Sequence, residues 1–186
     1  MASEHIYKQF DSDLEAIRAK VLEMGTLVEE QTANAIKSLL NTDIKLAEEV
    51  MKRDNQINDL EMAIDEETSL LIAKRSPAAG DLRNIMMMLK IITDLERMGD
   101  EAAKIARSTT RIFEDNRMSK PRFTEIKGMA KAVQGMIKTA LNSFARLDLS
   151  DTIDILEKDK QVDDDYRSCM RQLLTFMLED PRTISM

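Results

Sequence analysis

Tryptophan is absent from this chain, and cysteine and histidine occur once each, as Cys169 and His5. A single cysteine excludes an internal disulfide and a thiolate zinc site, and a single histidine near the N-terminus leaves none of the Glu-x-x-His pairs that a ferritin-like di-iron enzyme needs. Aromatic residues make up 4% of the sequence, with only five glycines and three prolines among 186 residues, so a sheet with its many turns is not expected. No run of about 18 uncharged apolar residues occurs, which excludes a spanning helix. Met1 to Lys8 lacks the apolar region of a signal sequence, so the chain is expected to stay in the cytosol. There is no glycine-rich loop to cradle a phosphate. The net charge of −7, with no basic patch, disfavours nucleic acid as a partner.

What is present is 43% apolar and 33% charged residues, the composition of a soluble helical protein with room for one or two compact cores. Periodicity of 3.6 residues predicts helices over roughly 6–40, 43–74, 77–114, 121–147 and 151–178. Ser76-Pro77 has the form of an N-cap followed by proline at the first helical position, and Asp180-Pro181 repeats it. Cys169 falls on an apolar stripe and is expected to be a buried, inert thiol, and His5 a solvated tail residue. Methionine occurs 14 times, and the run Met86, Met87, Met88 covers most of a helical turn, so at least one of the three should be exposed.

Shifting the chain by 105 residues aligns Met24 with Met129, Ala35 with Ala140, Asp43 with Asp148, Asp54 with Asp159, Gln56 with Gln161, Ile57 with Val162, Asn58 with Asp163 and Asp59 with Asp164. Heptads can align by chance in their apolar positions, but Asp-x-Gln-(Ile/Val)-(Asn/Asp)-Asp recurring in phase marks an internal duplication. Each copy should be a three-helix unit: residues 6–116 form the first, and 117–186 a second that lacks its last helix, because the counterpart of Pro77 is Pro181, five residues before the chain stops. This reads as a truncated chain or a gene fragment. The second apolar groove would be covered by dimerisation or a swapped helix, or would leave the half-bundle partly molten. The expected fold is therefore all-α, two tandem antiparallel three-helix bundles with the second incomplete.

Acidic residues interrupt stripes that should face these cores. Val50, Asp54, Ile57, Glu61, Ile64, Thr68 and Leu71 form one heptad line, and Asp54 has only Val50, Met51, Ile57 and Asn58 at the spacings where a helical ion-pair partner would stand. An uncompensated carboxylate among aliphatic side chains costs several kcal/mol, so it must be paired, protonated, metal-bound or less buried than the spacing suggests. On the third helix Glu96 and Asp100 are four apart on one face, Lys104 being a candidate partner for Asp100 alone. Gly99 beside them, a helix-interior glycine, points to close approach of another backbone or a ligand. Asp54, Asn58, Glu61, Glu96 and Asp100 could converge where helices two and three meet, with Asp65 a weaker candidate. Such an oxygen-only donor set suits magnesium, calcium, manganese or iron, and admits zinc. The alternative is a solvated acidic face on a spectrin-like scaffold that binds no metal. In the second copy Asp159 and Asp163 occupy the equivalent positions.

At these residues the chain resembles the PhoU family of phosphate-uptake regulators. The resemblance is carried by Ser76-Pro-Ala-Ala-Gly-Asp-Leu-Arg83, by Leu95-Glu-Arg-Met-Gly-Asp100, by the stretch Asp54 to Asp65, and by Glu-Asp-Pro-Arg-Thr-Ile at 179–184, and it runs from about residue 6 to 186. It implies two three-helix bundles in tandem, no catalysis, and metal clusters held by Glu/Asp-x-x-x-Asp motifs. The motif lands on Glu96 and Asp100 with Asp54, Asn58 and Glu61, while the second repeat retains Asp159 and Asp163 without the last-helix half. The implied cofactors are iron, zinc or manganese, with magnesium as a further candidate. The implied role is that of a cytoplasmic negative regulator, a homodimer that bridges the ATPase subunit of the high-affinity phosphate ABC transporter to a sensor histidine kinase at the inner membrane face.

Overall fold

Helices account for almost everything that the computed structural model describes, residues 2–114 and 124–179. They are α1 (Ala2–Asn41), α2 (Ile44–Arg75), α3 (Ala79–Glu114), α4 (Thr124–Arg146) and α5 (Thr152–Glu179). No strand occurs among the described residues, and none of their helices is long and apolar enough to cross a membrane. The all-α expectation holds, and each expected helix lies within a few residues of its counterpart. His5 belongs to α1 rather than to a tail.

α1, α2 and α3 pack against one another in every pairing. Their core is written at heptad spacing: Ile17, Val21, Met24 and Val28 from α1, Ile57, Ile64 and Leu71 from α2, Ile85, Met88, Ile92 and Leu95 from α3, all buried. Steps of three and four residues keep each line facing its neighbours, and burying each aliphatic side chain contributes about 1.5–3 kcal/mol. Toward the end of the bundle where α1 turns into α2 the core changes character. There Ala35, Ala47, Val50, Ala102 and Ala106 form a second cluster of small side chains, which lets the helices approach closely. Of the methionine run, Met88 is in the core while Met86 and Met87 are exposed.

The duplication is visible in the turns. Thr42 and Leu147, 105 residues apart, both adopt left-handed backbone with φ of 59° and 52°. The next residue in each turn donates back across the helix end, Asp43 N to Ser38 O at 2.9 Å and Asp148 N to Ser143 O at 3.0 Å. These are the same C-terminal capping bond in the same register. The copies then diverge. The Asp43 carboxylate accepts from Leu46 N and caps α2, whereas Asp148 accepts from the backbone and hydroxyl of Ser150, and α5 starts only at Thr152.

Ser76 does not act as the N-cap that the Ser-Pro pair suggested. It terminates α2 in left-handed conformation (φ 46°), its N–H donating to Ile72 O, and α3 begins two residues past Pro77 with Leu82 N bonded to Ala78 O. The serine is consumed in closing one helix and so cannot open the next. Asp180-Pro181 lies outside the described residues.

α4 docks on α1, and among the described helices α5 packs on α4 alone. Gly25 on α1 leaves the space that the end of Leu141 fills. Arg18 Nη2 donates to the carbonyls of Phe144 and Ala145 at 3.1 and 2.6 Å, its guanidinium lying 5.7 Å from the Phe144 ring centre. A cation thus caps the last carbonyls of α4, Phe144 O also accepting from Leu147 N at 3.3 Å. The expected open apolar face is present: Ile153, Leu156, Tyr166, Leu173, Leu174 and Leu178 on α5 are exposed. Cys169 is half-buried rather than buried, because among the described residues only α4 covers α5.

Candidate functional site

The acids on the α2 stripe prove less buried than their heptad positions imply. Val50, Ile57 and Ile64 are 0–1% exposed, whereas Asp54, Asn58 and Glu61 are half-buried at the edge of the helix pair. Glu96 and Asp100 on α3 are likewise half-buried, and Asp65 is exposed. The Asp54 carboxylate reaches the α3 backbone: a Cβ added at Gly99 would meet Asp54 Oδ1 at 3.4 Å and Ile57 Cδ1 at 3.0 Å. The glycine therefore marks a close approach between α2 and α3, as its place in the helix suggested.

These acids share one electrostatic field. The Glu96 carboxyl is held above the usual carboxylate range, first by partial burial and then by the charges of Asp100, Glu61 and Asp54, with Arg97 opposing. The basic residues nearby are engaged elsewhere. Arg97 lies 3.8 Å from Asp94, and Lys104 donates to Glu101 at 2.7 Å instead of pairing with Asp100. The lysine is raised from its ordinary value mainly by that Glu101 contact, Asp100 adding a lesser effect.

One member of the site was not foreseen. Gln31 on α1, 3% exposed, donates from Nε2 to Asp54 Oδ1 at 2.8 Å and to Gly99 O at 3.2 Å. Its position was legible as a polar residue on the line of Val28 and Ala35, the same kind of anomaly that singled out Asp54. Gln31, Asp54 and Gly99 make one polar layer, one residue from each helix, at the boundary between the aliphatic core below and the alanine-lined core above.

The donor chemistry suits an oxygen-seeking cation: four carboxylates, the Asn58 amide, and a glycine that keeps a methyl group out of the layer. As placed, no three His, Cys, Asp or Glu side chains among the described residues stand together closely enough to hold a metal ion. Collecting them would require rotamer changes, which half-exposed side chains can make. The second repeat brings nothing together. Asp159 and Asp163 are exposed on α5, Asp163 lies 3.6 Å from Arg167, and no described helix packs against that face.

The family model described as the PhoU domain matches residues 21–109 and again 126–185. The chain is 42% identical over 184 residues to the phosphate-specific transport system accessory protein PhoU homolog of Pseudomonas aeruginosa, covering 98% of this chain and 75% of that protein. It is 40% identical over 182 residues to the protein PhoU of Escherichia coli, with the same coverage of each chain. The crystal structure of PhoU from Pseudomonas aeruginosa superposes with a TM-score of 0.90 over 95% of this chain and 84% of that one, at 42% identity. The crystal structure of the phosphate transport system regulatory protein PhoU from Streptococcus pneumoniae gives 0.83 over 92% and 80%, at 29% identity. With the domain matched twice and its relatives followed along nearly the whole sequence, the chain belongs to the PhoU domain family.

Proposed function

We propose that this chain is a non-enzymatic regulator of phosphate uptake that works in the cytoplasm. The supporting observation is its identity of about 40% along 98% of its length to proteins named as accessory to the phosphate-specific transport system. In this reading it acts as a negative regulator, a homodimer that links the transporter's ATPase subunit to the sensor histidine kinase of the phosphate response. It lies peripheral to the inner membrane through those partners.

The reading extends to metal. Asp54, Asn58, Glu61, Glu96 and Asp100 would hold iron, zinc or manganese, magnesium being a further candidate, and Asp159 and Asp163 would supply one side of a second site. The support is the gathering of four half-buried carboxylates and the Asn58 amide along the α2–α3 seam, where the Glu96 carboxyl is raised first by partial burial and then by the charges of Asp100, Glu61 and Asp54. A bound cation would supply the missing positive charge. The residues themselves fix α2 against α3 through Gly99 and Gln31.

The test is a phosphate-responsive reporter in a strain lacking its regulator, with elemental analysis of the purified chain and of Glu96→Ala/Asp100→Ala. Restored repression in phosphate-rich medium is expected, together with bound metal that the double variant loses. Failure to repress where the Pseudomonas aeruginosa relative succeeds would overturn the regulatory reading. Repression by metal-free protein would instead favour a scaffold whose acids are solvated, the reading to which the present spacing of the carboxylates lends weight.

A further inference from the structure

We infer that the exposed face of α5 is an interface between two copies of this chain, their α4–α5 hairpins joining about a two-fold axis into a four-helix bundle. It rests on the homodimer of the regulatory reading above, to which it gives a surface, and not on the metal. Leu156, Tyr166, Met170, Leu173 and Leu174 are 41–56% exposed. At about 100° per residue they fall within about a third of the helix circumference. Side chains of this size, half exposed, leave on the order of 500 Å² of apolar surface, which with flanking charged residues approaches the ~800 Å² per partner of a stable interface. The duplication shows that a third helix of the same repeat would not cover all of it. A shift of 105 residues sets Asp65 on Met170 and Ser69 on Leu174. Asp65 and Ser69 are exposed although α3 packs on α2. A helix seated on α5 as α3 is on α2 therefore leaves Met170 and Leu174 in water, and their cover comes from outside the repeat.

Charge selects the occupant and its direction. Asp159 and Asp163 lie in the same sector as the apolar residues, so whatever covers the face must bring cations to that end of it. Residues 152–165 of α5 carry six acidic and two basic side chains, whereas residues 166–179 carry two basic and one acidic. A parallel pair of α5 helices would set acid against acid. An antiparallel pair sets the acidic half of each against the half that holds Arg167 and Arg171 of the other. A two-fold axis at Asp165 brings Leu156 opposite Leu174 of the second copy, Asp159 opposite its Arg171, and Asp163 opposite its Arg167. One register thus matches apolar with apolar and acid with base, and the closed symmetry leaves no further face open to a third copy. Arg167 lies 3.6 Å from Asp163 of its own helix, so the partner's acid joins an ion pair already aimed at this edge.

The experiment is sedimentation equilibrium of the metal-free full chain at low salt, with helicity checked by circular dichroism. Wild type should be a dimer. Met170→Glu/Leu174→Glu, which puts charge into the apolar contact, should weaken dimerisation by about a hundredfold or more. Arg167→Glu/Arg171→Glu should weaken it by about tenfold, and adding Asp159→Arg/Asp163→Arg to that variant should restore it to within a few-fold. Rescue by the exchanged charges is what the antiparallel register requires and a general loss of stability would not give. A dimer indifferent to Met170→Glu/Leu174→Glu overturns the inference and leaves the homodimer standing on another surface. Wild type that stays monomeric at every concentration overturns both, and strong protection of its α5 amides from hydrogen exchange would then show that the same chain covers the face. If Met170→Glu/Leu174→Glu loses helicity, the arginine pair decides, since both arginines are exposed: an unweakened dimer, or no rescue, overturns the inference.

Discussion

Replacing Gly99 by alanine sets two effects of opposite sign against each other. Alanine in a helix interior is favoured over glycine by about 1 kcal/mol. The added Cβ would stand 3.0 Å from Ile57 Cδ1 and 3.4 Å from Ile57 Cγ2 and Asp54 Oδ1. Ile57 is 1% exposed and β-branched, so it cannot swing aside, and the helices must part by a few tenths of an ångström. Overpacking of this kind costs about 1–3 kcal/mol. The net expectation is a loss of about 1 kcal/mol, which in a chain of this size lowers the melting temperature by about 2–4 °C. The assay is thermal unfolding of metal-free protein followed by circular dichroism, for Gly99→Ala, Ile57→Val and the pair. Ile57→Val alone should cost about 0.5–1.5 kcal/mol. Because it removes the Cδ1 atom that the new methyl meets, the pair should be less destabilised than the sum of the two, by about 0.5–1 kcal/mol. A Gly99→Ala protein that melts higher by the full propensity gain would refute the close approach.

Two further perturbations act on charge. Glu96→Gln should stabilise the metal-free protein at neutral pH: a carboxyl whose native pKa is raised above its unfolded value opposes folding as pH climbs from about 4.5 through the raised value, and causes no such loss below about 4.5. The melting-temperature advantage of Glu96→Gln over wild type should therefore grow between pH 4 and pH 7, and an advantage independent of pH would contradict the shared field. Arg18→Met keeps the stem and removes the donors to Phe144 O and Ala145 O, a change worth about 1.5–3 kcal/mol for a charged donor. Hydrogen exchange should show faster exchange in α4 and α5 with α2 and α3 unaffected, and uniform protection would contradict the clamp.

Five helices and their lengths were legible from apolar residues at helical spacing, and in α1 to α3 burial follows that spacing closely from Ile17 to Leu95, whereas the α5 stripe turns out exposed or half-buried. The duplication was legible from Asp54 and Asp159, and it recurs as the same backbone turn after Ser38 and Ser143. Heptad position could not reveal how deep an acid sits. Asp54 and Glu61 lie on the line of Ile57 and Ile64, yet they turn out at the edge of the helix pair, because a stripe tells direction and not the width of the neighbour that covers it. Gln31 carried the same signal as Asp54 but no charge to draw notice. Ser76 shows a different limit: the residue types that open helices also close them, and the φ angle that decides between the two is set by the turn as a whole.

The first helix belongs to one bundle and is also the foundation on which α4 and α5 stand. At 40 residues it is a rod of about 60 Å, held on two sides by α2 and α3 and offering a third side to α4. The dependence is unequal: the core of α1 to α3 is drawn almost wholly from those three helices, with Phe144 of α4 packed against its edge, whereas among the described residues the helices in direct backbone contact with α4 are α1 and α5. The α4–α5 pair is thus a cantilever bolted at Arg18 and Gly25. During synthesis it can be seated only after its beam is standing, and any tilt of α1 at its base is carried to the far end of α5 as a lever arm.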